Sequence, residues 1–539
     1  MMERKWWTLI AVCLGTFMLL LDVTIVNVAL PAIQRALHAD LTDLQWVVDA
    51  YALTLAALLL TTGSLADLYG RRRIFVAGLA LFICGSLLSG LAQSPLWLNL
   101  SRGGQGIGGA AMFSTSLALL GNTFRGRERG VAFGVWGAIT GIAVAIGPVL
   151  GGAITTGISW RWIFLVNVPI GVLAVALTLA RVDESRRAGA QRPDLPGVVV
   201  FSAALGALVY GLIQTQNRPW GSTVVLACLI GSAAALVGFV AIELAQREHA
   251  MFDLSLFGKP TFSGVSIAAF ALSGGLFALL LYITLYLQDI LHYSALDTGL
   301  RLLVLSGGIL LTSTLAGRAT AHVPIRLLIG PGLGLVGVGL LLMRGLDAQS
   351  SWTHLIAGFI VAGAGTGLIN PPLASTAIGV VPPERAGMAS GINSTFRQVG
   401  IATGIAALGT LFSHAVRARV AALLTGVPGF GTARAHALAA AVAAGNANAA
   451  TIGSLPPHAR GAAVRALRAG FVHGLNEILL VGSLLSFAAA LMSLALIRRR
   501  DFEAGAAHAQ PLRADGQQPR AAPDPFAGAT ASSSHPAAR

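Results

Sequence analysis

The sequence predicts an all-α integral membrane protein of about fourteen transmembrane helices, with two six-helix bundles and two helices inserted between them. Three observations predict it. Of 539 residues, 55% are hydrophobic and 11% charged, whereas soluble domains carry charge on about a quarter of their residues. Uncharged runs of about 20 residues, enough for a helix to cross roughly 30 Å of hydrocarbon, recur along the whole chain. The basic residues behind the net charge of +14 lie between these runs and not on one domain, which points to membrane topology and excludes a nucleic-acid partner.

The first six runs begin near Trp6, Gln45, Ile74, Trp97, Val131 and Ile163 and make an N-terminal bundle over residues 1–182. The charged linker RVDESRRAGAQRPD, Arg181 to Asp194, leads to two runs near Leu195 and Thr223, an inserted pair within 183–250. Six more start near Phe262, Leu300, Arg326, Thr353, Gly387 and Phe471, a C-terminal bundle over 251–500. A long outer loop is expected at about 413–470, its alanine-rich stretch forming a surface helix. The tail, 501–539, is rich in Ala, Pro, Ser and Gly and is expected to be disordered and cytoplasmic. The first run, after MERK, is too long for the apolar region of a secretory signal and contains Asp22 and Asn27, so it is read as a retained span. Cys13, Cys84 and Cys228 lie in apolar stretches without metal or haem spacing and read as small packing residues.

Orientation follows from lysine and arginine in the short loops. With the N-terminus inside, the cytoplasmic segments hold Arg4, Lys5, Arg71 to Arg73, Arg125, Arg127, Arg129, the Arg181 to Arg192 cluster, Arg247, Lys259, Arg318, Arg385 and Arg498 to Arg500. The short outer loops hold mostly single arginines, such as Arg35, Arg161 and Arg218. Both termini are therefore expected in the cytoplasm, and the chain in the cell's inner membrane.

Polar groups inside the runs are the candidate functional residues. Asp22 falls about fifteen residues into the first span, in its outer half at 1.5 Å per residue, and Asp49 lies one to two turns into the returning second span. A charged aspartate at mid-membrane costs about 2.5 to 3.5 kcal/mol, and an acid kept there is suited to bind and release protons. In the fourth run, Arg102, Gln105, Gly106 and Gly109 share one helical face, and a buried arginine needs an acceptor such as Asp22 or Asp49. The fifth run carries a small-residue stripe through Gly137, Gly141, Ala145, Pro148 and Gly152. Such stripes bring helices together in lipid, and Pro148 removes a backbone bond, so this face is expected to bend or slide. The loop GSLADLYGRRRIF, Gly63 to Phe75, sets Asp67 at a helix C-terminus, where the dipole disfavours an acid; the arginines or another helix start should compensate it. Arg397 is a buried cation of the second half, beside Asn393, Gly400 and Gly404, with no partner evident from sequence. Two G-x-G-x-x-G matches, at Gly104 to Gly109 and Gly332 to Gly337, lie in apolar runs and not between a strand and a helix, which excludes a dinucleotide site.

Together these segments resemble the major facilitator superfamily, and within it the fourteen-span drug:proton antiporters (EmrB/QacA-like). GSLADLYGRRRIF is similar to the signature GxLADrxGrkxxl, with Leu68 in place of a basic residue. LNLSRGGQGIGGA resembles lxxxRxxqGxg, and GPVLGG, Gly147 to Gly152, matches the GPxxGG core of the antiporter motif, with Ala143 where a leading glycine is expected. LDVTIVNVALP, WRWIFLVNVPIG, YLQDILHYSALDTGL (with His292 where glycine is common) and PERAGMASGINSTFRQVG resemble the fourteen-span group more specifically. The resemblance runs from about Trp6 to Arg500. It implies two bundles opening alternately to either side, with Asp22 as the coupling acid and Arg102 as its modulator. It further implies a cytoplasmic latch at Gly63, Asp67, Gly70, Arg71 and Arg72, and a helix seam at Gly141, Gly147, Pro148, Gly151 and Gly152. Asp49 matches no general signature and rests on the membrane-acid argument alone.

The leading expectation is proton-coupled efflux of small amphipathic drug-like compounds, cationic ones among them, with the proton as coupling ion and no other cofactor, no metal and no obligatory protein partner, the chain acting as a monomer in the bilayer. A proton-linked importer of a small polar solute is the alternative on the same scaffold, and a non-transporting sensor or scaffold is the reading from another class. An enzyme is not expected, since no HExxH, nucleophile elbow or P-loop occurs.

Overall fold

The structure, a computed structural model, describes residues 3–124, 126–186, 194–216, 218–246, 252–320, 322–381, 386–425, 427, 431–444, 455, 457–498 and 501. The expected tail beyond Asp501, residues 187–193 of the charged linker, and Arg125, Arg247, Arg385, Arg499 and Arg500 lie outside the described residues. Among the described residues every regular element is helical. The N-terminal helices are α1 (Arg4–Leu37), α2 (Leu41–Tyr69), α3 (Arg71–Gly90), α4 (Pro95–Thr123), α5 (Gly126–Gly157), and α6 (Trp162–Leu165) with α7 (Asn167–Arg181). The inserted pair is α8 (Leu195–Gln214) and α9 (Thr223–Gln246). The C-terminal helices are α10 (Pro260–Leu272), α11 (Ala278–Leu285), α12 (Ala295–Ala319), α13 (Arg326–Met343), α14 (Ile356–Gly379), α15 (Ala386–Leu424), α16 (Thr432–Ala443) and α17 (Pro457–Leu496).

Local chemistry sets the helix starts. Asp40 and Asp43 form a reciprocal capping box on α2, the Asp43 amide donating to Asp40 Oδ1 at 2.7 Å and the Asp40 amide to Asp43 Oδ2 at 3.1 Å. Ser94 with Pro95 opens α4, Asp194 caps α8, and Ser294 caps α12. Turns of π-helix at Ser273–Phe277 and Tyr286–Ile290 interrupt the span that contains α10 and α11.

Among the described residues, thirteen helical segments are long and apolar enough to cross a membrane by length and composition. The helix α4 is not among them although it has 29 residues, because its glycines and its Asn99, Arg102 and Gln105 dilute its apolar content. It packs along α2 and α3 and takes the place of the fourth expected span. Large apolar side chains such as Val237, Leu311 and Leu491 lie exposed on outward faces, while Asp22, Asp49, Arg102 and Gln105 are buried, a distribution suited to a hydrocarbon solvent. Two sequence expectations differ from the structure. Much of 413–470 is helical: α15 runs on to Leu424, α17 begins at Pro457, and α16 supplies the surface helix. Alanine and arginine favour helix, so these helices continue where hydropathy fades. Cys84 is exposed on α3 and not packed inside, whereas Cys13 is buried.

Two seams join the bundles, α2 against α15 and α5 against α12. The inserted α8 packs on α9 and also on both α2 and α15, beside the first seam. Hydrogen bonds tie the bundles at the end that carries the α1–α2 turn. Gln288 Nε2 donates to the Val28 carbonyl at 2.8 Å, the Leu296 amide to Thr156 Oγ1 at 3.1 Å, and the Leu41 amide to the Ala444 carbonyl at 2.9 Å.

Candidate functional site

The site is built around Arg102, which α4 presents between α1, α2 and α3. Its Nη1 lies 2.6 Å from Asp22 Oδ2 and also donates to Gln105 Oε1 at 2.7 Å. Its Nε donates to the Val47 carbonyl at 3.0 Å. Gln105 Nε2 donates to the other Asp22 oxygen at 2.8 Å and approaches Ser86 Oγ at 3.3 Å. Ser86 in turn donates to the Phe164 carbonyl at 2.9 Å and accepts from Asn167 Nδ2 at 3.0 Å. The guanidinium stands 4.3 Å from the Tyr51 ring centroid. Asp22 is 0% and Arg102 1% exposed, so the pair is sealed from water. The ordering of acid, cation and amide is what a buried ion pair requires, since an unshared charge there is strongly unfavourable. Gly85 makes room on α3: a Cβ there would press on the Gln105 backbone.

Arg102 therefore meets Asp22 and not Asp49. Asp49 is also 0% exposed, but neither of its carboxylate oxygens has a hydrogen-bond partner. It lies one turn from Gln45, at the contact between the bundles. Gln45 Nε2 donates to Tyr282 Oη at 2.9 Å, Tyr282 donates to the Ile405 carbonyl at 3.0 Å, Gln216 Nε2 donates to Gln45 Oε1 at 2.8 Å, and Ser413 Oγ donates to Gln216 Oε1 at 3.2 Å. One polar chain thus links α2, the end of the inserted α8, and α11 and α15.

The seam glycines lie where three helices converge. A side chain on Gly147 would strike Thr24, and one on Gly151 would strike Ile25, both on α1. A side chain on Gly152 would strike Ala295 and Leu296 of α12, while Gly299 of α12 faces the Pro148 carbonyl. Gly141, nearer the start of α5, faces only Leu310 at 3.4 Å. In the loop between α2 and α3, Arg71 pairs with Asp67 at 2.9 Å and reaches toward the Ala118 carbonyl. Gly70, at φ +117°, turns the chain where a Cβ would meet the Glu184 carboxylate. The Arg72 amide donates to Glu184 Oε1 at 3.0 Å and its Nη2 to the Leu179 carbonyl at 2.9 Å. Gly63 faces Ser114 of α4. These contacts of the loop lie within the N-terminal bundle and the segment that follows it. Arg397 Nη2 donates to Asn370 Oδ1 on α14, which supplies the partner that sequence left open.

Sequence reasoning missed Tyr51, Ser86 and Asn167 around Arg102, and the chain from Gln45 to Ser413. Gln45, Asn167 and Gln216 were visible as amides within or beside apolar runs; the serines and tyrosines carried no such signal. Among the described residues no group of His, Cys, Asp or Glu stands together as a metal site.

Two bundles of long apolar helices, joined by glycine seams and holding a sealed charge pair, define a multi-pass membrane protein of the transporter type. Its sequence matches the Major Facilitator Superfamily over residues 12–280 and 265–502, and the chain belongs to that family. Among its relatives, the multidrug resistance protein Stp of Mycobacterium tuberculosis is 39% identical over 407 residues, 75% of each chain. The puromycin resistance protein pur8 of Streptomyces alboniger is 37% identical, covering 78% of this chain and 84% of its own. The tetracenomycin C resistance and export protein of Streptomyces glaucescens is 34% identical over 77% of both. The fold is similar to that of a bacterial homologue of the human lysosomal transporter Spinster, in an inward-facing and occupied conformation, with a TM-score of 0.60 at 16% identity, covering 93% of this chain and 99% of the other.

Proposed function

We propose that this protein exports small amphipathic drug-like compounds, cationic ones among them, across the inner membrane in exchange for protons, with both termini in the cytoplasm. The observation that carries the reading is the sealed Asp22–Arg102 pair at 2.6 Å in a chain whose relatives are resistance and export proteins. A proton on Asp22 removes the charge that Arg102 answers and leaves the guanidinium with Val47 and Gln105. The α1–α4 contact then loosens. Thr24 and Ile25, two and three residues along α1, are the surface on which Gly147 and Gly151 rest, so a shift of α1 passes to α5 and, through Gly152 and Pro148, to α12 in the other bundle.

Asp49 supplies a second protonation step. Its bare carboxyl is enclosed between the bundles, and an unpaired charge there is costly, so the closed outer side holds the neutral acid and ionisation favours admitting water. Asp67, Arg71 and Arg72 act in this scheme as the cytoplasmic latch, exchanging partners as the bundles rock. One charge moving through 100 mV yields about 2.3 kcal/mol, and about 1.4 kcal/mol is a tenfold ratio, so one proton sustains a drug gradient of roughly fiftyfold before any pH term is added. The test is drug-driven proton release from proteoliposomes. Release by the wild type that vanishes in Asp22→Asn supports the assignment; undiminished release in the variant sinks it.

A further inference from the structure

The inserted helices leave a cavity of about 600 Å³ between α2, α4 and α8, away from the Asp22 cluster. Trp46, Leu53, Leu58, Leu100 and Leu205 form its walls. Gly103, Gly104 and Gly206 smooth its floor. A Cβ on Gly104 or Gly206 would meet nothing within 4 Å, so close helix packing does not require glycine at either position. Gly106, on the same helix, is pressed against Tyr51 and Thr54. The difference separates a packing glycine from two that leave space empty. Leu96 and Leu100 border the cavity on the outward face of α4, 67% and 69% exposed, so it opens sideways toward hydrocarbon.

The cavity carries its acid and its unanswered amide at one end, while the hydroxyls of Thr54 and Ser202 elsewhere on its lining are spent on carbonyls of their own helices. Asp43 lies in the first turn of α2 and Asn99 in the second turn of α4, and the Asn99 Oδ1 is buried without a hydrogen-bond partner. No lysine or arginine lines the cavity among the described residues. An acid beside an unanswered carbonyl oxygen accepts a cation or its N–H groups and repels a phosphate. From Asp43 to Leu58 the wall runs fifteen residues, about 22 Å of helix, which suits a long apolar body lying parallel to α2.

We propose that this cavity is a lateral binding site for a cationic amphiphile drawn from the outer half of the membrane, its charged end at Asp43 and Asn99 and its apolar body against Leu53, Leu58 and Leu205. The proposal deepens the efflux reading and rests on it for its purpose. The occupant lies against Gly103 and Gly104, next to Arg102 in sequence, so a filled site bears on the α4 backbone that carries the coupling cation. The inserted pair thereby gains a role: α8 supplies the wall that turns an exposed face of the N-terminal bundle into a site.

The test uses the full-length protein in zwitterionic lipid nanodiscs, without a proton gradient, so that failure of coupling and failure of binding are separable. The probes are a brominated hexadecyltrimethylammonium and, as its anionic counterpart, a brominated hexadecyl sulfate, both of which quench tryptophan fluorescence at contact. The expected result is saturable quenching by the ammonium probe, its saturable part lost in Trp46→Phe. Affinity should fall about tenfold in Gly206→Phe, which fills the apolar space, and several-fold in Asp43→Asn, which keeps the capping acceptor and removes the charge. Ser202→Phe, on the same wall, serves if Gly206→Phe does not fold. Equal saturable quenching by the sulfate would overturn the proposal by making the cavity a seat for any lipid chain. Ammonium binding unaffected by Trp46→Phe and by the filled cavity would overturn it by placing the amphiphile elsewhere.

Discussion

Asp22 lies in the C-terminal half of α1 and Asp49 in the N-terminal half of the returning α2, and neither is exposed to solvent. Asp22 is answered at both oxygens, by Arg102 and Gln105, while Asp49 is answered at neither. The same residue type at similar depth thus occupies opposite electrostatic situations. A ligated acid holds its helices together as a charge and releases them when neutral; an unligated acid fits the closed structure when neutral and strains it when charged. Under the proposed exchange, two acids of opposite sense would let one proton flux loosen one contact while it secures another.

Substitutions can break or sharpen this contrast. The largest effect is expected for Asp22→Asn, which should reduce drug-coupled proton release to background while leaving abundance in the membrane near wild type, because the Gln105 amide can turn to accept and the new side chain still offers Arg102 an oxygen. Immunoblotting beside the transport assay checks both halves of that statement. Arg102→Met strands Asp22 as a buried charge and should cost about 3–5 kcal/mol, read as a lowered thermal midpoint in detergent; adding Asp22→Asn should restore most of the stability and none of the coupling. At the seam, Gly152→Val forces a side chain into Ala295 and Leu296 and should cost about 1–3 kcal/mol with a disproportionate loss of transport. The smallest change belongs to Asp49→Asn. With no partner to lose, it should leave the thermal midpoint unchanged or raise it by about 1 kcal/mol equivalent, and flatten the dependence of outer opening on pH, measured with a spin-label pair across the outer ends.

Much of this architecture was legible because hydrocarbon is a strict solvent. Fourteen apolar runs, the outer-half acids and the shared face of Arg102 and Gln105 follow from hydropathy and helical period. The choice of Asp22 over Asp49 as the partner of Arg102 did not, since the pair is 80 residues apart in sequence and helical faces alone leave both acids within reach. Nor did Ser86, which joins Gln105, Asn167 and the Phe164 carbonyl, because a serine in an apolar run carries no directional signal. The π-helical turns around α11 leave no mark in composition. The extended ends of α15 and α17 were hidden for a different reason: alanine and arginine make helix without making hydropathy. Even α4 illustrates the trade, since the residues that give it a site are those that make it the least apolar of the expected spans.

The hydrogen bond from the Leu41 amide to the Ala444 carbonyl joins the first turn of α2 to the end of α16. If the outer ends part, that amide must exchange its protein acceptor for water, and in deuterium oxide it would take up the heavier isotope at a rate set by how often they do. One backbone proton could then serve as an isotopic counter of outer openings, readable by mass without attaching any label to the transport path.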